Sequence, residues 1–186
     1  MDYGIYKGVR GAAWQCLIDC EITELPVSIG KIMRHYDLSI AYNKDVNMLE
    51  EWESGEIIIY DGNPVVILNE KHTTQRLRFT TMHELGHYVL GHLGDSGALS
   101  RSFVKAPHET EADMFAARVL MPSCVLWGLD LREPIEIANA CNVSLQAATY
   151  RAKRMDILRG RNNFLIDPLE RAVFEQFGEF IDKNRK

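Results

Sequence analysis

At 186 residues, with 46% hydrophobic and 25% charged side chains, the chain has the composition of one globular domain with at most a small appendage. That profile excludes a long disordered or collagen-like protein. The net charge of −5 argues against gripping bare phosphate backbone, an affinity built largely from Lys and Arg.

Along the chain, apolar residues Ala12, Ala13, Cys16, Leu17 and Cys20 fall at helical spacing over residues 8–21. A second helix is predicted from Pro26 to Tyr36, with the proline in its first turn, followed by a strand over 38–42. Residues 43–55 are polar and acidic and read as a loop. Two Ile/Val-rich runs flank Asp61-Gly62 and predict a β-hairpin over 56–68. Leu77, Phe79, Met82, Leu85, Tyr88 and Val89 mark a helix from Thr73 to Gly91, with the glycine suited to its C-terminal cap. Residues 93–107 read as a loop, placed to act as a lid, before a helix over 109–120 that stops at Pro122. Helical stretches over 134–142 and 144–155 form a helix-turn-helix-like pair. Asp167-Pro168 then opens a last helix, 168–183, with a broad apolar face.

Cys16, Cys20, Cys124 and Cys141 form no CxxC pair and read as small apolar residues on helix faces. No signal-peptide pattern opens the chain and no apolar run approaches the ~20 residues of a membrane span. A cytoplasmic protein without a membrane partner is expected. Residues 151–186 carry nine Lys/Arg against six Asp/Glu, whereas residues 1–150 carry twelve against twenty. The acidity thus belongs to the first part, and the mild basic excess of the tail reads as a solvated helix face.

The chemistry lies in His83-Glu84-Leu85-Gly86-His87, an HExxH on an amphipathic helix. Two His four apart project from one face, one turn apart, so both imidazoles can reach one ion. Glu84 cannot join them as a close ligand, but beside the open coordination position it can take a proton from the metal-bound water. A catalytic zinc usually needs a third protein ligand. The HExxHxxGxxH continuation misses by one residue, and His92 reads as a helix-terminal His complementing the dipole. Glu109 and Glu111 remain, about 200° apart around a helix, so only one can face the metal.

RLRFTTMHELGHYVLGH followed by ETEADMFAARVLMP resembles the ImmA/IrrE metallopeptidase family. The resemblance extends over LPVSIGKIMRHYDLSIAY and IANACNVSLQAATYRAKRM, covering residues 8–157. It implies an α+β, zincin-like fold of gluzincin type, with a small mixed sheet, an active-site helix and a helical C-terminal part. It implies Zn2+ held by His83, His87 and Glu111, with Glu84 as general base and Asp113 orienting a ligand His. Thr81 stands where the family often has Ala. The implied domains are a peptidase domain over 1–157, including the helix-turn-helix-like segment 134–157, and a C-terminal extension over 158–186.

Family enzymes of this kind cleave helix-turn-helix repressors, often on phages or mobile elements, so the implied partner is such a repressor. Two other readings are a regulatory module that binds a repressor or antitoxin without cutting it, and a DNA-binding regulator. The intact Glu84 weighs against the first, since a structural metal site needs no base. The acidic surroundings of residues 134–150 weigh against the second, so no direct nucleic-acid contact is expected. The apolar face of 168–183 is expected to pack back on the domain, giving a monomer or weak dimer. His108, Tyr150, Arg151 and Tyr88 are candidate donors to the oxyanion.

Overall fold

The computed structural model describes residues 3–93 and 106–185. In chain order the elements are α1 (Tyr3–Asp19), α2 (Ile29–His35), β1 (Ser39–Tyr42), α3 (Asn43–Val46), β2 (Gly55–Tyr60) and β3 (Asn63–Leu68). They continue with α4 (Thr74–Val89), α5 (Ala106–Leu120), α6 (Ser123–Gly128), α7 (Pro134–Cys141), α8 (Leu145–Gly160), α9 (Pro168–Gln176) and α10 (Gly178–Asn184). The fold is α+β, with a small mixed sheet, as the resemblance implies. Most of the loop predicted at 93–107 lies outside the described residues. Among the described residues no helix is long and apolar enough to cross a membrane.

The sheet has the order β1-β3-β2. β2 and β3 form the predicted hairpin, with Tyr60 opposite Asn63. Its two-residue turn takes positive φ at both Asp61 (49°) and Gly62 (79°), the backbone that matches strand twist and that Asp-Gly supplies cheaply. β1 runs parallel to β3, so β2 is an edge strand, and a small core of Leu38, Ile57, Val66 and Leu68 lies against Met33 and Leu77. The helix placed from Pro26 starts later, at Ile29: Ser28 is extended, and its side chain accepts from the Lys31 N–H at 3.3 Å. A side-chain cap thus outweighs the proline signal.

The large core is helical. α1 packs on α5 and α9, α4 packs on α5, and α7 packs on α8. Phe115, Leu17, Met82, Leu85, Leu120 and Leu126 are fully buried within it, and all four cysteines are buried and unpaired. The predicted last helix is two segments, α9 and α10, meeting at Phe177. Gly178, a poor helix former, follows the break. Val173, Phe177 and Ile181 all enter the main core, which is what covers the apolar face.

Candidate metal centre

α4 begins where the Thr73 hydroxyl accepts from the Arg76 N–H at 3.3 Å. It ends in a Schellman turn: Gly91 has φ 72°, its N–H donates to the Tyr88 carbonyl (3.2 Å), and the His92 N–H donates to the His87 carbonyl (2.9 Å). Within this rigid frame His83 and His87 are one turn apart, and their Nε2 atoms lie 3.1 Å from each other. The turn also swings His92 back along the helix, so that its Nδ1 lies 3.1 Å from Nδ1 of His87.

α5 supplies the carboxylates. Glu109 Oε2 is 3.3 Å from His83 Nε2 and its Oε1 3.4 Å from His87 Nε2. His83, His87 and Glu109 form a group able to hold one metal ion, with candidate ligand atoms all within 4.8 Å of one another. Glu111, the third ligand that the resemblance implies, is elsewhere: its Oε2 accepts from His92 Nε2 at 3.0 Å. The reason is helical geometry. Glu109 and Asp113 are four apart and share the face turned to His83, whereas Glu111 is about 200° from Glu109. Asp113 accepts from His83 Nδ1 at 2.8 Å, the orienting contact expected of it.

These partners assign the tautomers. Asp113 holds the proton on His83 Nδ1. Glu111 holds one on His92 Nε2, leaving His92 Nδ1 to accept from His87 Nδ1. Both facing Nε2 atoms then carry lone pairs only 3.1 Å apart, an arrangement that a shared cation relieves. Burial, reinforced by His83 and His92, pushes the His87 pKa down to about 3, so the imidazole stays neutral as a ligand must. For His83, burial lowers the pKa, but Asp113, Glu84 and Glu109 outweigh it and the net shift is upward. Burial pushes Glu84 up to about 7 against the pull of His83, and its Oε2 is buried without a hydrogen-bond partner.

The family model described as the IrrE N-terminal-like domain, Peptidase M78, matches residues 41–153. The chain belongs to that family. None of the curated proteins compared matches it. Membership makes it a peptidase of metallopeptidase type, with protein as its substrate class.

In this M78 domain the metal centre opens onto a cleft of about 370 Å³ lined by Trp52, Gly55, Arg76, Phe79, His83 and Glu84, with Glu109 and Asp113 on the α5 side. The strand edge beside it is β2, which begins at Gly55. None of the four oxyanion donors considered from sequence lines this cleft. His108 stacks on His92 with ring centroids 4.2 Å apart, Tyr150 and Arg151 line a neighbouring groove, and Tyr88 is partly exposed on α4. The cation that does line it is Arg76, whose Nε and Nη2 donate to Ser54 Oγ at 3.1 and 2.8 Å. Sequence reasoning missed Arg76 and His92 as the partner of His87, and it left Glu109 and Glu111 both open until the resemblance pointed to Glu111. The signal for Glu109 was present: it stands four residues before the Asp that orients His83.

Proposed function

We propose that the chain is a zinc-dependent endopeptidase in which His83, His87 and Glu109 hold the metal and Glu84 is the general base. One observation carries this reading: a half-buried imidazole, His83, and a buried one, His87, aim facing lone pairs at one point, closed by Glu109, with an unpartnered buried Glu84 oxygen in the same cleft. His₂Glu is a recurrent catalytic zinc set that leaves a place for water. Zinc bound there would supply a water of lowered pKa and polarise the scissile carbonyl. The chain's own residues do the rest. Glu84, buried in the cleft beside the two His with its Oε2 unpartnered, is placed to accept the water's proton and return it to the leaving amine. Asp113 and the His92–Glu111 pair hold the two imidazoles in the ligating tautomer. Among the described residues β2 is an edge strand of the sheet, which suits an extended peptide laid along the cleft.

The substrate within the protein class is, in this proposal, a helix-turn-helix repressor or similar regulatory protein, a choice that rests on the family resemblance. The Glu84→Gln variant tests the mechanism. It should keep its metal, at about one zinc per chain, and lose hydrolysis of such a repressor and of proteome-derived peptides by about a hundredfold or more. Full cleavage by Glu84→Gln would exclude Glu84 as the base.

A further inference from the structure

Beside the metal cleft lies a second, larger groove of about 680 Å³, and Arg76, Phe79 and Asp113 line both. It runs between α1, the start of α4, α5 and α8. Tyr6, Met114, Ala117, Arg118, Arg151 and Arg154 all contribute to its lining. Arg76 is engaged by Ser54, and a mostly apolar groove with three further guanidinium groups is costly unless something pairs with them.

Each arginine is held by a neutral acceptor. Arg118 Nη1 donates to the Met114 carbonyl at 3.0 Å, and its guanidinium lies 4.8 Å from the Tyr6 ring centre. Arg154 Nη2 donates to the Tyr6 hydroxyl at 2.6 Å. Arg151, only 8% exposed, donates to the Met121 carbonyl, and its buried Nε has no partner. Among the described residues none of the three forms an ion pair with a carboxylate. The crowding is felt electrostatically: burial lowers the Arg118 pKa, Tyr6 offsets part of this, and Arg154 and Arg10 add to the lowering. Burial brings Arg151 down to about 10, with Arg118 adding to the effect. Burial raises the Tyr6 hydroxyl, yet Arg118 and Arg154 outweigh it and bring it below its ordinary value.

We propose that this groove is a specificity subsite of the peptide cleft, binding an acidic side chain of the substrate against Arg118 and Arg154, with an adjoining apolar residue on Phe79, Met114 and Ala117. The assignment to a substrate, and not to a free anion, follows from continuity with the metal cleft, and so rests on the peptidase reading. Arg151, tied to the Met121 carbonyl, sets the positive background. Arg118 and Arg154 have N–H groups left to meet a carboxylate, the strongest type of hydrogen bond such a pocket can offer. An apolar wall beside them lowers the local dielectric and strengthens the pairing. The substrate stretch selected is therefore acidic and apolar in alternation, near the bond to be cut.

The test is binding to the full chain carrying Glu84→Gln, so that nothing is hydrolysed. The probes are acetyl-Leu-Glu-Leu amide, the same peptide with Gln for Glu, and glutarate, each titrated while the arginine N–H resonances are followed by NMR. The Glu peptide should bind roughly tenfold tighter than the Gln peptide at low salt, with the preference shrinking as salt rises. Arg154→Gln and Arg118→Met should each cut it to about threefold or less. Equal binding of the two peptides, no saturable binding, or a salt-independent preference would overturn the proposal, and none of these readings needs a substitution in the groove. Glutarate binding as tightly as the Glu peptide would make this a free-anion site and overturn the substrate assignment. Failure of the peptidase reading shows separately, as a Glu84-intact, zinc-loaded chain that cleaves nothing while the charge preference persists.

Discussion

His92 is the side chain on which the orientation of His87 depends. Its ring is clamped between His87 Nδ1 and the Glu111 carboxylate, and stacked on His108. Partners in this position fix tautomer and ring angle, and removing them typically weakens metal binding about 10–100-fold. His92→Ala should therefore raise the zinc dissociation constant by about that factor, measured by competition with a chromophoric chelator. Unchanged affinity would reduce His92 to the dipole-complementing role that its place at a helix end suggests. The residue scale is also where the sequence was least legible. His83, Glu84 and His87 stand in one short motif, and Asp113 follows from the resemblance. Glu109 and Glu111 are two identical side chains one residue either side of Thr110, and only their relation to Asp113 separates them. His92 needed the Schellman turn, since nothing in the spacing announces that a residue five past His87 returns to touch it.

At the scale of elements, the site is the contact between α4 and α5, and Gly86 sets its closeness. A methyl group at Gly86 would stand 3.1 Å from Phe115 Cδ1 and 3.2 Å from the Ala112 Cα, so the α5 backbone itself would have to yield. The HELGH motif thus carries a packing requirement between its two His, and the buried Ala112 opposite answers it. Helix propensity alone would favour Gly86→Ala by about 1 kcal/mol, whereas overpacking against backbone costs about 1–3 kcal/mol. We expect overpacking to prevail: Gly86→Ala should lower the melting temperature of the metal-free chain and weaken zinc binding by moving Glu109 from the two His. A higher melting temperature would mean that the helices part at no cost. Elements were mostly legible because their signals are local. The Asp-Gly turn, the apolar periodicity of α4 and the Asp167 cap, which accepts from the Leu169 N–H at 3.1 Å, each lie within a few residues. The start of α2 was not, because the Ser28 side-chain cap decides it, nor was the break at Phe177, which falls within a continuous apolar face.

Across the whole molecule, the family region 41–153 does not account for its own core. α1 lies before it and α9 and α10 after it, yet Leu17, Val173, Phe177 and Ile181 share one hydrophobic cluster with Phe115 and Met82, which lie on the two helices that carry the site. Of the terminal segments, α1 packs directly on α5, while α9 packs on α1 and α6. Gln176 bonds the Leu17 and Ile22 carbonyls at 2.8 Å each, and Arg10 pairs with Asp167 at 3.4 Å, tying the two ends together. The charge division read from sequence acquires a finer meaning here. Arg151 and Arg154 on α8 turn to the groove beside the cleft, whereas Lys153, Arg161, Arg171, Lys183 and Arg185 are exposed, the solvated basic residues expected of the tail.

All of this converges on which carboxylate completes the centre, and zinc affinity of paired variants decides it. Glu109→Gln and Glu111→Gln, measured side by side by chelator competition with bound zinc counted per chain, should behave differently. The account predicts that Glu109→Gln loses stoichiometric zinc, while Glu111→Gln keeps about one zinc per chain at about 10–100-fold weaker affinity, acting through His92. Zinc lost from Glu111→Gln and retained at full affinity by Glu109→Gln would contradict it.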